Sequence, residues 1–60
     1  MNLPKDPFIL LSYINTKLRD ENPSIDDLCL SLNIDKTWLE NTLSSIAYTY
    51  DQDTNRFIAE

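Results

Sequence analysis

Residues 24–46, SIDDLCLSLNIDKTWLENTLSSI, decide the fold. Ile25, Leu28, Cys29 and Leu32 fall at i, i+3, i+4 and i+7, the spacing of one apolar helix face. Ser24 stands ahead of them as an N-cap, with Asp27 three residues on in a capping-box-like arrangement. Asn33 follows, the natural left-handed stop where glycine is not used. Asp35 caps a further helix expected from Lys36 to about Ile46, with Leu39, Leu43 and Ile46 as its inward stripe and Trp38 and Thr42 on its flank. A small residue at the crossing (Cys29), an apolar plug in the turn (Ile34) and a capping Asp35 make the pair helix-turn-helix-like.

Upstream, Asp6-Pro7 starts a helix: the carboxylate accepts from an orphan N–H, and proline is preorganised at the first helical position. Leu10, Leu11, Ile14 and Leu18 cluster on one side, and Asn22-Pro23 ends the helix after Asp20 or Glu21. Residues 1–5 are a lead-in with Leu3 as its anchor. Downstream the period changes to alternation. AYTYDQDTNRFIA, residues 47–59, sets Asp51 opposite Arg56 and Tyr50 opposite Phe57 across a four-residue loop, with Asn55 at a left-handed position. An isolated hairpin is marginal in water, so its aromatic face must pack on the helices. The expected fold class is α+β and mainly helical: one domain over residues 1–60, three helices in a helix-turn-helix-like, winged-helix-like arrangement with a C-terminal β-hairpin.

Composition narrows the functions. Sixty residues hold no deep substrate cavity, since a chain this short buries only about 60% of its unfolded surface. Glycine is absent, which excludes the phosphate-cradling glycine loops and leaves left-handed turns to Asn or Asp. Histidine is absent too, and with it the commonest general base and metal ligand. Cys29 is the one cysteine, expected as a buried thiol, and fits a reducing cytoplasm better than a disulfide-stapled secreted domain. The paired Asp26 and Asp27 complement the helix dipole rather than share an ion, because adjacent helical side chains diverge by about 100°. No catalytic constellation, cofactor site or metal site emerges, and the chain is expected not to be an enzyme. The apolar run FILLSYI is preceded by Asp6 and Pro7 and interrupted by Ser12, so it is neither a signal peptide nor a span of about 20 apolar residues. No membrane association is expected.

Two surfaces remain for binding. Ile9, Tyr13 and Leu30 lie away from the apolar stripes of their helices and are expected to be exposed, as contacts for a protein partner or a second copy. Asn15 and Arg19, with Ser12, form a polar line bordering the core stripe of the first helix, either contacting a partner or tying the following chain to the body. The alternative surface is a nucleic-acid face made of Lys36, Thr37, Asn41 and Ser44 on the third helix, with Arg56 on the wing. Asn41 is chemically suited to adenine. The net charge of −5, Glu40 on the same face, and Asp51 and Asp53 near the wing tip all oppose a phosphate backbone. A protein-interaction module, self-associating or not, is therefore preferred to a nucleic-acid-associated regulator.

The stretch LPKDPFILLSYINTKLRD, then SIDDLC, then IDK, then YTYDQDTNRF, resembles a family of roughly 60-residue uncharacterised bacterial proteins catalogued as a domain of unknown function. Its most specific part is the opening L-P-x-D-P-x-x-L-L-S-x-x-N-x-x-L-R-D pattern. The resemblance covers nearly the whole chain and implies a stand-alone cytoplasmic protein with no assigned activity. One departure stands out: the family pattern implies glycine at position 47, where this chain has Ala47.

Overall fold

The computed structural model describes residues 3–60, so Met1 and Asn2 of the expected lead-in lie outside the described residues. Helix α1 spans Pro7–Asp20, α2 Ile25–Leu32 and α3 Lys36–Ser44. Strands β1 (Tyr48–Asp51) and β2 (Arg56–Ala59) follow as an antiparallel hairpin, giving a mixed α+β, mainly helical architecture.

Each helix starts where its side chains can serve the first orphan amides. The Asp6 carboxylate accepts from Phe8 N at 2.8 Å and Ile9 N at 3.4 Å, with Pro7 opening the first turn. Ser24 Oγ accepts from Asp27 N at 3.2 Å and donates to the Asp27 carboxylate at 3.1 Å. Asp35 accepts from Thr37 N at 2.9 Å. α2 stops at Asn33, whose φ of 56° lets its N–H turn back to the end of the helix.

Packing follows the stripes. Leu10, Ile14 and Leu18 of α1 meet Ile25, Leu28 and Cys29 of α2, Leu39 and Leu43 of α3, and Phe57 of β2 in one buried cluster. The strand register is Tyr48 with Ala59, Thr49 with Ile58, Tyr50 with Phe57 and Asp51 with Arg56. Tyr50 and Phe57 meet at a centroid distance of 5.6 Å, tilted by 59°. That aromatic pair is the hairpin's contribution to the core, as required of a two-stranded sheet.

Three expectations need correction. α3 ends at Ser44, two residues before Ile46. Ile46 N donates to Leu43 O and Ala47 N to Ser44 O, three-residue closures that tighten the chain out of α geometry. Left-handed turns are not confined to Asn33 and Asn55: Ala47 also has a φ of 62°. The chain must reverse from α3 into β1 at that residue, and a side chain limited to Cβ is the smallest available without glycine. Tyr13, expected to be exposed, is half-buried and packs at the edge of the core, with Lys17 Nζ 5.6 Å above its ring.

Candidate functional site

The hairpin lies along α1 and is attached to it by two asparagines. Asn15 donates Nδ2 to Phe57 O at 3.1 Å and accepts from Phe57 N at 2.8 Å through Oδ1. One side-chain amide thus satisfies both backbone groups that Phe57 turns toward α1, as a neighbouring strand would. Asn55 donates Nδ2 to Leu18 O at 3.1 Å and Asn22 O at 3.0 Å, and its Oδ1 accepts from the Tyr50 hydroxyl at 2.6 Å. Because Asn55 meets Leu18 while Phe57 meets Asn15, β2 runs antiparallel to α1.

Between these two elements is an open groove of about 790 Å³. Phe8, Leu11, Ser12, Asn15, Thr16 and Arg19 line it from α1, and Tyr48, Thr54, Asn55 and Arg56 from the hairpin. The wall changes character along its length. Phe8, 63% exposed, and half-buried Leu11 make an apolar end. Arg19, Arg56 and Thr54 make a cationic, hydroxyl-bearing end, beside the point where Asn55 meets the last turn of α1.

The electrostatics of that end are set locally. Arg19 holds Asp20 through Nε at 2.8 Å and Nη2 at 3.1 Å, which lowers the Asp20 carboxyl below its ordinary range and raises the guanidinium. In the hairpin loop, the Thr54 hydroxyl donates to Asp51 at 2.6 Å and lowers the Asp51 carboxyl, with the nearby Arg56 charge adding to the effect. Elsewhere, burial pushes the Cys29 thiol upward, away from the reactive thiolate. Among the described residues, no group of three or more His, Cys, Asp or Glu is placed to hold a metal ion. No described helix is long and apolar enough to cross a membrane.

The structure divides the residues named from sequence. Asn15 and Arg19 line the groove, and Arg56, on the hairpin, joins them there. Ile9 is 59% exposed on an adjoining face of α1, and Leu30 is 81% exposed on α2, outside the groove. On α3, Lys36 reaches Asp26 of α2 at 3.1 Å, while Thr37, Asn41 and Ser44 are exposed. Sequence reasoning missed Phe8 as an exposed aromatic and Asn55 as a tether. The signal for Phe8 was its position between capping Asp6 and the first core residue, Leu10.

Fold and site together define a small α+β domain with an open helix–hairpin groove. Residues 4–57 match the family model described as Domain of unknown function (DUF4250), and the chain belongs to that family. No curated protein and no solved structure matches it significantly.

Proposed function

We propose that the chain is a non-enzymatic protein-interaction module, acting in the cytoplasm, that binds a different polypeptide or a second copy of itself. The observation that carries this reading is the α1–hairpin groove, which joins exposed Phe8 and half-buried Leu11 to two arginines on one concave wall. Apolar anchors beside charge-bearing donors suit recognition of a polypeptide. Exposed Ile9, Leu30 and Trp38 add apolar surface elsewhere, although isolated apolar side chains are ordinary on any protein. Cytoplasmic placement is supported by the lone buried thiol, which needs no oxidising compartment. The test is a tagged pull-down from native lysate, with and without nuclease, read beside the native mass. A saturable protein partner that survives nuclease, or a stable dimer, is the expected result. A strictly monomeric chain that retains nothing above a tag-only control refutes the reading.

The element order favours a second reading, a winged-helix-type nucleic-acid-associated regulator: α3 follows a three-residue turn and leads into a hairpin. Lys36, Thr37, Asn41, Ser44 and Arg56 are its contact residues. Against it, Lys36 is paired with Asp26, Glu40 lies on the same helix, and the net charge is −5. Gel retention at low salt that fades as salt is added would support it, and no retention at any salt would dismiss it.

A further inference from the structure

Resting on the interaction reading, we infer that the α1–hairpin groove takes an extended segment of about five residues from a partner protein, with an apolar side chain at one end and carboxylates at the other. Charge segregation carries this inference. The chain has ten acidic and five basic residues, yet the groove wall contains both arginines and no Asp or Glu. Arg19 and Arg56 offset their acidic neighbours Asp20 and Asp51, so in so acidic a molecule an anion meets less repulsion there than over most other faces.

The arginines retain donors for a ligand. Arg19 uses Nε and Nη2 on Asp20, and a guanidinium has five N–H groups in all, so its remaining donors stay available. Thr16 and Thr54 at the same end already donate their hydroxyls to Ser12 O and to Asp51, so the guanidinium N–H groups are the donors left for a carboxylate.

Geometry sets the length and the polarity of the ligand. Phe8 and Arg19 are eleven positions apart on α1, about 16 Å at the rise of an α-helix. An extended chain advances about 3.3 Å per residue, so about five residues span that distance. The backbone of the segment does not pair with β2 at its centre, because Asn15 already occupies the N–H and C=O of Phe57. Side chains therefore dominate recognition. A nucleic acid fits less well: two cations neutralise few phosphates, and the remaining surface repels a polyanion.

The experiment pans the tagged full chain against a displayed library of random heptapeptides. Binding of the strongest peptide is then measured for the wild type and for Arg19→Gln, Arg56→Gln, the double variant and Leu30→Glu. All three positions are exposed, and circular dichroism checks each fold. Expected are peptides with an apolar residue three or four positions from a carboxylate pair. Binding should weaken about tenfold in the double variant and with added salt, and stay unchanged in Leu30→Glu. Phe8→Ser should relax selection at the apolar position alone. Four outcomes overturn the inference: no enrichment over bare beads, enriched peptides without carboxylates, full binding by the double variant, or displacement by a single-stranded oligonucleotide in preference to acidic peptide. If a lysate partner is retained equally by the wild type and the double variant, the interaction reading stands and the groove assignment fails. If nothing is retained and the chain is monomeric, the interaction reading itself fails.

Discussion

Removing the Asn15 amide should detach the hairpin from α1, and the structure gives the size of the loss. Phe57 is only 2% exposed, and Asn15 satisfies both its N–H and its C=O. A buried polar group left without its partner costs about 1–3 kcal/mol. The groove is open beside this bond, so water softens the loss, and about 1 kcal/mol for each group, ~2 kcal/mol in Asn15→Ala, is the working figure. A 60-residue chain at roughly 0.05–0.15 kcal/mol per residue has only about 3–9 kcal/mol of stability, so the loss is a large share. With an m-value near 1 kcal/mol/M, the urea midpoint followed by circular dichroism should fall by about 2 M. Ser12→Ala, on the same wall and exposed, should stay within about 0.5 kcal/mol of wild type. Asn15→Asp keeps an acceptor for Phe57 N–H but sets a carboxylate against the Phe57 carbonyl. Its acid form can donate, so its folded pKa is raised and its deficit should shrink at low pH and grow as pH rises. Faster hydrogen exchange at the Phe57 amide should accompany the loss in Asn15→Ala. If Asn15→Ala unfolds at the same urea concentration as Ser12→Ala, these bonds do not hold the hairpin and the reasoning is wrong.

Ala47→Gly should stabilise the protein by about 0.5–1 kcal/mol, because it relieves a Cβ clash at φ 62° that outweighs the added freedom of the unfolded chain. The melting temperature should rise by about 2–8 °C, and a fall would contradict the account. Asn55→Gly keeps the left-handed turn but loses three hydrogen bonds, and should cost about 2–3 kcal/mol in denaturant unfolding. Asn55→Ala should cost about 1 kcal/mol more, since it adds left-handed strain. The Cys29 thiol should react with an aromatic disulfide reagent at least about tenfold more slowly in the native protein than in urea, and equal rates would show that the site is open. Asp51 is held below its ordinary value of 3.8, first by the Thr54 hydroxyl. That contribution is present above the ordinary value and is lost as pH falls through the lower folded value. Thr54→Ala should therefore be less stable than wild type at neutral pH and converge with it in acid, as thermal melts at pH 7 and pH 2 would reveal.

Local chemistry was legible in the sequence wherever one residue type does one local task. Asp6, Ser24 and Asp35 cap the helices, and Asn33 and Asn55 take the left-handed turns. The strand register was legible because the four-residue loop between Asp51 and Arg56 leaves one pairing that puts Tyr50 beside Phe57. The positive φ of Ala47 was not legible in the residue itself, because alanine is a helix former; the only sign was the family pattern's glycine at position 47, and the reversal into β1 forces the conformation. The exposure of Phe8 and the half-burial of Tyr13 depend on which flank of α1 the other elements cover, a tertiary choice that helical periodicity does not encode. Asn15 showed as a polar residue at the border of an apolar stripe, either a partner contact or a tie to the following chain, with nothing to name what it meets. Its partner, Phe57, lies 42 positions away, so the groove that it helps to build appears only once the hairpin is docked.

The groove is the surface on which the account depends, and amide chemical-shift mapping tests it most directly. The labelled chain would be titrated with the strongest acidic displayed peptide. The account predicts saturable shifts concentrated on Phe8, Leu11, Ser12, Thr16, Arg19 and Arg56, with Leu30, Trp38 and Asn41 unmoved. Shifts confined to α2 and α3, or none at peptide saturating by any other assay, would contradict it.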